Sequence, residues 1–542
     1  MSTQTASVCP ICLRVLPAQR IEHDGILYLE KDCPQHGAFS TRIWSGAIDY
    51  TQWGLDEGST TPTCRCPSEC IDCTEHRVRP CCVLLEVTHR CNLGCPVCFA
   101  HASVSSYAAT LSTPSTPSTP SAASTPSAAS CDTAILHPSD SSTSIPQEQT
   151  QGFVTSITRD DNASDPSLET IAAWYDKLYA KAGICHIQLS GGEPTLRDDL
   201  DQIIRMGREK GFSYFQLNTN GIRLAEEPSL AQHLKDAGLT CVFLQFDATD
   251  DRINRVLRGT ELLEKKQKAI DACAIARLPV VLVPTIAGGI NDSEVAAIIN
   301  YGIQHSPVVR GVHFQPMSFF GRCDVTAKRV TIPELLLQIE EQSGRILQRE
   351  DFSGGSVENP HCSFNANYII NDKGYLEPLK SRRTSCCGPV IEEDPVVSSC
   401  CGPVIEEDPV VSSCCGPVIE EDPVVSSCCG PTTTEIPSLP TSRYRPTDDP
   451  VARAQDIQQR RWGTNLDALP IDRPEVGSFD EFLWQTKARG FSVTGMAFMD
   501  AYTMDFDRLC SCYIFTLDPE GNPIPFCAYN LTNTQGSGLY RN

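Results

Sequence analysis

The chain has 542 residues, an apolar content of 40% and a formal net charge of -23. This length accommodates two or three domains, and the apolar content is sufficient for a real hydrophobic core. The acidic balance argues against a phosphate-binding surface, so nucleic acid is not an expected partner. Residues 1–16 lack the pattern of a secretion signal, and no apolar run reaches eighteen residues, so we expect no transmembrane segment.

Cysteine is the residue type that organises this sequence. The chain has 29 cysteines, and they occur in groups instead of being spread along the chain. Grouped cysteines in a reducing compartment are typical of metal sites, whereas a disulfide framework is typical of small secreted proteins. We therefore expect a cytoplasmic metal-binding protein.

The first cysteine group lies near the amino terminus. Cys9 and Cys12 form the sequence "CPIC", and Cys33 begins the sequence "CPQHG". This spacing is typical of half of a rubredoxin-type or zinc-ribbon-type site, which holds one iron or zinc ion. The fourth ligand is either His36 or a cysteine from elsewhere in the chain.

The second group is the sequence "CPSECIDCTEH", which contains Cys66, Cys70 and Cys73. Their spacing suggests an auxiliary 4Fe–4S cluster that relays electrons or anchors the substrate. A zinc knuckle is the alternative interpretation. Neighbouring cysteines are candidates for additional ligands: Cys64, Cys81 and Cys82.

The third group, Cys91, Cys95 and Cys98, lies in "HRCNLGCPVCFA", directly after the strand-like run "CVLLEVT". Three thiolates hold three irons of a 4Fe–4S cluster and leave the fourth iron open to an external ligand. S-adenosylmethionine can bind this iron through its amino and carboxylate groups. One electron from the cluster then cleaves a carbon–sulfur bond and releases a 5'-deoxyadenosyl radical.

Helical patterns alternate with short apolar runs between residues 167 and 317. This alternation predicts a parallel sheet with helices outside it, either open or curled into a partial barrel. The expected strands are "CHIQLS", "YFQLNTN", "VFLQFDA", "VVLVPTI" and "VHFQPM". The expected helices lie near 167–182, 198–210, 228–238, 251–277 and 292–304.

Two motifs of the chain resemble those of the radical S-adenosylmethionine (radical SAM) superfamily. One is the three-cysteine loop with Phe99 beside its last cysteine, and the other is "LSGGEPTL" at the end of the second strand. The resemblance covers about residues 82–320, apart from a Ser/Thr/Pro-rich insertion. It implies an α/β fold in which a partial (β/α)6 TIM-type barrel carries a small cysteine-rich amino-terminal unit and a carboxy-terminal α+β extension.

The same resemblance implies roles for individual residues. Cys91, Cys95 and Cys98 would be the catalytic cluster ligands, and the Gly-Gly-Glu element would receive the methionyl amino group. Five polar residues of later strands would point into the barrel mouth near S-adenosylmethionine or substrate. The cofactor-binding candidates are Phe99, Gly191, Gly192, Glu193, Asn218, Thr219, Asn220, Gln245 and Asp247.

Two charged residues of this region also have structural interpretations that involve no cofactor or substrate. Asp247 could merely cap a loop. Arg258, in "NRVLRG", is interpreted as a solvated cation at the end of a helix.

The cysteine-rich flanks make the chain similar to the tetraether lipid synthase-like branch of the superfamily. This resemblance implies hydrogen abstraction from an unactivated carbon of a lipid-like or small-molecule substrate, with electrons from a one-electron reductase or a ferredoxin- or flavodoxin-type donor. The alternatives are a peptide- or metabolite-modifying enzyme of the same superfamily and a non-catalytic metal-binding protein. Cobalamin-dependent methyl transfer is disfavoured, because no separate cobalamin domain precedes the core.

Composition divides the chain into segments. The expected segments are 1–60, 61–82, 83–320 with a disordered insertion at 101–166, 321–384, 385–475 and 476–542. Within 385–475, "SCCGPVIEEDPVVS" recurs every fourteen residues. We interpret this repeat as slippage duplication, with a thiol tether for a soft metal as the alternative. A further cluster held by carboxy-terminal cysteines is a hypothesis: Cys362, Cys510, Cys512 and Cys527.

Deleting residues 399–428 is expected to leave cleavage of S-adenosylmethionine intact. The reason is that this block repeats its neighbours and adds no recognisable core or motif. Cleavage is measured as 5'-deoxyadenosine formed under anaerobic conditions, and iron per chain is measured alongside. A loss of iron in the deletion variant would contradict the expectation.

Overall fold

The computed structural model describes residues 3–53, 79–104, 165–355, 359–379, 449–469, 474 and 478–541. Several sequence predictions lie outside the described residues. They are the second cysteine group with Cys64, Cys66, Cys70 and Cys73, most of the Ser/Thr/Pro insertion, and the cysteine-pair repeats.

An antiparallel sheet of four strands forms the amino-terminal unit. Its strands follow one another in chain order: β1 (Thr3–Val8), β2 (Val15–His23), β3 (Ile26–Cys33) and β4 (Gly37–Ser45). Asp24 and Gly25, both with positive φ, make the two-residue turn between β2 and β3. Asp-Gly suits this turn because both central residues of a type I′ hairpin require positive φ.

Six parallel strands form the centre of a larger sheet, as the sequence predicts. Adjacent strands pair in the order β5, β9, β10, β11, β12 and β14. Their bounds are β5 (Cys82–Thr88), β9 (His186–Gly191), β10 (Phe215–Thr219), β11 (Cys241–Gln245), β12 (Val280–Val283) and β14 (Val309–Pro316).

Helices connect these strands and cover the outer face of the sheet. They are α2 (Leu168–Ala182), α3 (Leu200–Glu209), α4 (Ile222–Glu226), α5 (Ser229–Ala237), α6 (Asp251–Arg258), α7 (Leu263–Ile275) and α8 (Val295–Gln304). Alternate strand residues such as Ile187, Leu217 and Leu244 pack with helix residues such as Tyr175 and Ile270 in one core. Burying this apolar surface is the main stabilising contribution.

The structure corrects the expected helix at 251–277. Two helices, α6 and α7, occupy this range, because Gly259 ends α6 with φ of 82° in the left-handed region. This conformation favours glycine and terminates many helices. The short helix α4, directly after β10, has no counterpart among the expected helices.

The carboxy-terminal part of the chain extends the sheet at both edges. Strand β18 (Gly490–Met496) pairs in parallel with β14, and β19 (Ile514–Leu517) pairs in parallel with β5. Antiparallel strands then follow on each side: β16 (Ser363–Ile370) and β17 (Leu376–Pro378) beside β18, and β20 (Pro523–Pro525) beside β19. The end strands β17 and β20 do not pair with each other, so the barrel is partial.

Shorter elements complete the described residues. The remaining strands are β6 (Arg90–Cys91), β7 (Val97–Cys98), β8 (Ser103–Val104), β13 (Thr285–Ile286) and β15 (Arg322–Cys323). The remaining helices are α1 (Tyr50–Trp53), α9 (Ile332–Gln342), α10 (Pro450–Trp462), α11 (Phe479–Ala488), α12 (Phe506–Cys510) and α13 (Phe526–Tyr529). None of the helices in the described ranges combines the length and the apolar composition needed to cross a membrane.

Helix α10 closes the amino-terminal end of the barrel. The Trp462 ring at its end lies edge-on to Phe243 of β11, with ring centroids 5.0 Å apart, and 5.8 Å from His313 of β14. Gln458 of the same helix lies 2.8 Å from Nδ1 of His186, at the start of β9. The opposite, carboxyl ends of the parallel strands therefore form the accessible mouth.

Candidate cluster and S-adenosylmethionine site

The three-cysteine loop lies at the carboxyl edge of the parallel sheet, directly after β5. Cys91 and Cys95 are buried, Cys98 is partly buried, and all three pack in one small cluster with Leu93 and Leu262. Among the described residues, these thiols do not meet the spacing of a single-ion site, in which all ligand atoms lie within 4.8 Å of one another. The loop thus offers three separated thiols, and its own residues include no fourth.

Burial and neighbouring negative groups disfavour the charged form of the Cys91 and Cys95 thiols. Burial raises the pKa of Cys91, and Glu193 and the other two thiols add to this effect. Burial also raises the pKa of Cys95, although the cation Arg258 acts in the opposite direction. Because metal ligation requires thiolates, a positively charged iron centre is the natural counter-charge for this set.

The Gly-Gly pair at the end of β9 packs against the start of the cluster loop. The Gly192 N–H donates to Thr88 O at 2.8 Å, and the Glu193 N–H donates to Arg90 O at 2.8 Å. A Cβ at Gly191 would lie 2.2 Å from Thr88 O, and one at Gly192 would lie 2.1 Å from Arg90 O. Only glycine permits this close approach of two backbones.

Glu193 uses its carboxylate to join two strand ends. Its Oε1 accepts hydrogen bonds from the hydroxyls of Thr195 (2.6 Å) and Thr219 (2.7 Å), and its Oε2 accepts one from the Asn220 N–H (2.7 Å). The Asn220 side chain in turn donates from Nδ2 to Asn92 Oδ1 of the cluster loop, at 2.7 Å. Hydrogen bonds around the mouth therefore connect three predicted site residues, Glu193, Thr219 and Asn220, with two residues that were not predicted.

A buried lysine that the sequence reasoning did not select also contributes to the mouth. Lys266 of α7 donates from Nζ to Asn220 O at 2.6 Å. Burial lowers the pKa of Lys266 to about 8, while the negative charges of Asp247 and the Cys95 thiolate act to raise it. The position of Lys266 in the helical pattern does not indicate that its side chain reaches the ends of the strands. Only the folded structure shows that its ammonium group lies there.

Asp247 and Arg258 form a buried ion pair behind the cluster loop. Arg258 donates from Nε to Asp247 Oδ2 at 2.7 Å and from Nη2 to Oδ1 at 2.8 Å. The same guanidinium donates from Nη1 to Val97 O, inside the loop, at 2.6 Å. The interpretation of Arg258 as a solvated helix-end cation is wrong, because the side chain is 5% exposed and binds the loop backbone.

The remaining predicted residues lie around this pair and along the inner wall of the barrel. The Gln245 amide, oriented with its oxygen toward Arg258, accepts from Nε at 2.6 Å. The Asn218 Nδ2 lies 3.4 Å from Gln188 Oε1, away from the loop. Phe99 packs on Phe526 of α13, with ring centroids 5.7 Å apart.

The far side of the loop contacts residues that the sequence analysis did not select. Arg322 donates from Nε to Cys95 O at 2.7 Å, and β15 pairs with β7 of the loop. Gly321 approaches so closely that a Cβ would lie 2.4 Å from Cys98 O. Arg541, almost at the end of the chain, donates to Ala100 O at 3.2 Å and forms a buried ion pair with Glu86 of β5.

The residue at which the described chain resumes after residue 104 also contacts the loop. Asp165 accepts hydrogen bonds from the Thr88 hydroxyl (2.7 Å) and from Arg90 Nε (2.9 Å). Strand β8, just before this gap, pairs in parallel with β6 of the loop, Arg90 opposite Ser103. Both ends of the insertion are thus attached beside the cluster loop.

The amino-terminal cysteines meet the spacing of a single-ion site. Cys9, Cys12, Cys33 and His36 are the described residues whose ligand atoms all lie within 4.8 Å of one another. His36 Nδ1 lies 3.5 Å from Cys9 Sγ and 3.4 Å from Cys33 Sγ. Of the two alternatives for the fourth ligand, the structure brings His36 to the three thiols.

Cysteines of the carboxy-terminal part gather in a different place. Cys527 is buried and Cys512 is partly buried. Burial raises the pKa of Cys527 to about 12, and the nearby Cys362 thiol adds to this effect. Arg508 donates from Nε to Cys362 Sγ at 3.3 Å. Cys82, a candidate for the second group, lies at the opposite end of the barrel, where its Sγ accepts from Gln188 Nε2 at 2.8 Å.

Replacing Arg258 with leucine is expected to destabilise the protein and the cluster loop. Asp247 would then be a buried carboxylate without its cation, which costs about 3–5 kcal/mol in the free energy of unfolding. Urea unfolding and iron content per chain check this expectation. Arg252→Leu is the matched control, because Arg252 is an exposed arginine paired with Asp250 on the same helix, and its loss should cost less than about 1 kcal/mol. Equal effects of the two variants would contradict the assignment.

The amino-terminal site is expected to release its metal as the pH falls toward 6. Burial acts to raise the pKa of Cys33, but hydrogen bonds from the Gln35 backbone, His36 and Cys9 outweigh it and lower this pKa to about 6. The thiolate is therefore present above pH 6, and protons compete with the metal below it. Metal released to a chromophoric chelator, measured from pH 8 to pH 5, checks the direction. Retention that increases on acidification would refute it.

Two family descriptions match parts of this chain. Residues 85–302 match the radical SAM superfamily, and residues 1–45 match the HMPTM N-terminal zinc ribbon domain. The first match begins within β5 and ends within α8, so it covers the cluster loop and five of the six central strands, and β14 lies beyond it. The second covers the four-stranded sheet that carries Cys9, Cys12, Cys33 and His36.

Named proteins are similar to this chain over different lengths. The 7,8-dihydro-6-hydroxymethylpterin dimethyltransferase of Methanocaldococcus jannaschii is 29% identical over 99% of this chain and 94% of its own length. A GTP 3',8-cyclase of Staphylococcus aureus is 32% identical over 30% of this chain and 48% of its own length. The crystal structure of Streptococcus suis SuiB bound to S-adenosylmethionine is 14% identical, with a TM-score of 0.34 over 51% of this chain and 50% of SuiB.

The expected superfamily and fold class are confirmed, whereas the resemblance to the tetraether lipid synthase-like branch stays a prediction. The radical SAM match spans both sequence motifs, and the relative from Methanocaldococcus jannaschii extends over nearly the whole chain. The domain implies S-adenosylmethionine and a 4Fe–4S cluster as cofactors and a source of electrons. A parallel sheet that carries a three-thiol loop at its carboxyl edge, matched in this way over residues 85–302, is a radical SAM domain, and the chain that contains it is a radical SAM enzyme.

Proposed function

We propose that Cys91, Cys95 and Cys98 hold the catalytic 4Fe–4S cluster, and that the 5'-deoxyadenosyl radical takes a hydrogen atom from an unactivated carbon of a small organic molecule, forming 5'-deoxyadenosine and preparing that carbon for alkyl modification. The observation that carries this proposal is the arrangement of the loop itself. Three separated thiols, two buried and one partly buried, lie beside the Gly-Gly-Glu turn, which is hydrogen-bonded directly to the loop backbone. A group with one open coordination position fits such a donor set.

The nearly full-length relative supports the choice of an alkylated small molecule. Its name describes it as a dimethyltransferase acting on a hydroxymethyl dihydropterin, and it matches this chain in the amino-terminal sheet as well as in the barrel. Transfer of that activity class to this chain is a proposal, because fold and relatedness do not fix the substrate. Methyl or other alkyl addition to a small molecule is the outcome we propose.

When bound, the cluster supplies one electron to the sulfonium of S-adenosylmethionine, which opens radical chemistry at carbons that lack acidic hydrogens. The residues of this chain position the reactants. Glu193 and Asn220 fix the ends of β9 and β10 relative to the loop, and the Asp247–Arg258 pair fixes the loop from behind. The cations Lys266 and Arg258 lie near the thiols and compensate the negative charge of a thiolate-bound cluster.

Further metal centres belong to the same proposal. Cys9, Cys12, Cys33 and His36 would hold one iron or zinc ion, for which three sulfurs and one imidazole nitrogen are suitable ligands. An auxiliary 4Fe–4S cluster remains our proposal for the second cysteine group, Cys66, Cys70 and Cys73. The thiols of Cys362, Cys510, Cys512 and Cys527 are a further candidate set, because Cys362 and Cys527 lie close enough to Cys512 to raise its pKa, and Arg508 lies beside Cys362.

Electrons would come from a one-electron donor of the ferredoxin or flavodoxin type, or from a reductase. We propose the cytoplasm as the setting, since cluster thiols require a reducing compartment. All cysteines of the described residues are free thiols, which is consistent with this setting.

Anaerobically reconstituted protein is expected to form 5'-deoxyadenosine from S-adenosylmethionine and dithionite, and Cys95→Ala should abolish it. The reason is that this variant keeps only two of the three cysteine ligands. Two thiols cannot hold a 4Fe–4S cluster in which just one iron is open to S-adenosylmethionine. Product is measured by chromatography, with iron per chain as a second readout. Cys273→Ala is the matched control, because Cys273 is a buried cysteine of α7 in the helix–sheet core, outside the mouth.

The two variants separate the proposed enzyme from a non-catalytic metal-binding protein. A metal-binding protein would contain iron and yet form no 5'-deoxyadenosine in the unchanged chain. Continued formation by Cys95→Ala would remove these cysteines from the catalytic role. Loss in both variants alike would point to general unfolding, which the unfolding midpoint of each variant distinguishes.

A further inference from the structure

Much of the inner face of the barrel is polar, although TIM-type barrels usually fill this space with bulky branched side chains. Alternate residues of the central strands pack outward in the helix–sheet core, for example Ile187, Leu217 and Leu244. The positions between them therefore face the lumen. The apolar lumen-facing positions include Leu84, Phe243, Val281, Val283 and Met496, and the polar ones include Gln188, Ser190, Gln216, Asn218, Gln245, His313, Gln315 and Thr494.

Three of these amides are joined in a hydrogen-bonded row. The Gln216 Nε2 donates to Asn218 Oδ1 at 2.9 Å, and the Asn218 Nδ2 donates to Gln188 Oε1 at 3.4 Å. Each amide has two N–H donors and two acceptor lone pairs. The bonds within the row therefore leave at least one further donor or acceptor position on each of the three residues. Gln188 and Asn218 are partly exposed, so a bound molecule can reach these donor and acceptor positions.

The floor of the lumen carries a buried donor without a partner. Trp462 is 5% exposed, and its Nε1 has no hydrogen-bond acceptor among the described residues. Its ring contacts Phe243 and His313, which both face the lumen. On β19, beside β5, the buried hydroxyl of Thr516 likewise lacks a partner in the described part of the chain. Such groups cost free energy unless something pairs with them.

His313 contributes a neutral imidazole between two aromatic rings. Its Nδ1 lies 2.8 Å from the Thr494 hydroxyl, and its ring centroid lies 5.9 Å from that of Phe243. Burial lowers the pKa of His313 to about 4, and the cation Arg461 adds to this effect. The ring therefore presents one donor or acceptor nitrogen and no charge at neutral pH.

We propose that this lumen binds a planar heterocycle through hydrogen bonds to the amide row and to the Trp462 indole, and that it excludes alkyl chains. The proposal rests on the proposed function, for which it names the substrate class: uncharged ring systems with lactam or amidine edges. An alkyl chain would leave the amides and the indole N–H unpaired and out of water, which is costly. A lactam edge pairs with them and is selected for the same reason.

The test measures equilibrium binding to the full chain, reconstituted anaerobically, with S-adenosylmethionine present. The probes are 7,8-dihydro-6-hydroxymethylpterin, guanosine, riboflavin and, as the alkyl probe, 1-hexadecanol. Variants Gln216→Leu, Asn218→Leu and Trp462→Phe each remove hydrogen-bonding groups and retain similar side-chain volume. Gln202→Leu, on the exposed face of α3, is the matched control. Unfolding midpoints verify that each variant folds.

At least one heterocycle should bind saturably, and each lumen variant should weaken it about tenfold, the effect of one lost buried hydrogen bond. The Gln202→Leu control should bind like the unchanged chain, and 1-hexadecanol should not bind. The proposal is overturned if none of the three heterocycles binds, if the lumen variants bind as well as the control, or if 1-hexadecanol binds and gains affinity in Gln216→Leu. Should Gln216→Leu fail to fold, Trp462→Phe decides.

This binding assay is independent of radical chemistry. Failure of the proposed function would appear as absence of 5'-deoxyadenosine in the unchanged chain, whatever the lumen binds. Failure of the lumen assignment would appear in binding alone, with 5'-deoxyadenosine still formed.

Discussion

The buried Asp247–Arg258 pair is the interaction on which the geometry of the site depends. It joins the end of β11 to the end of α6, and the Arg258 guanidinium holds the Val97 carbonyl of the cluster loop at 2.6 Å. Two short spacings between three cysteines cannot define a loop conformation alone, because nothing in them restricts the intervening backbone. A planar, permanently charged fork with a fixed carboxylate partner supplies that restriction. Because Arg258 fixes the Val97 carbonyl, the neighbouring cysteines of the loop are also held in place.

The carboxy-terminal part of the chain supports the same loop from the other side. Strands β18 and β19 lie at opposite edges of the six central strands, and Arg541 connects the end of the chain to Glu86 and Ala100. Contacts of such long sequence separation close large loops and are formed late and at an entropic cost. They make the cluster site a product of the complete described fold and not of the barrel alone.

The sequence predicted the central strands well because their apolar runs are short, separated and regularly spaced. The run at 82–88 coincides with β5, and the expected helix at 167–182 differs from α2 by one residue. Gly259 was the visible sign of the break between α6 and α7, which periodicity alone did not register. Arg258, Lys266 and Arg541 could not be assigned, because their partners are set by tertiary contacts. The sequence around β18 and β19 likewise contains no motif that predicts their pairing with the edges of the barrel.

The described residues on the two sides of the gap at 105–164 are fixed to the same arginine. Asp165 accepts hydrogen bonds from Thr88 and Arg90, and Ser103 pairs with Arg90. Each flank is therefore held beside the cluster loop by contacts of its own. The positions of the two flanks do not depend on how many residues join them.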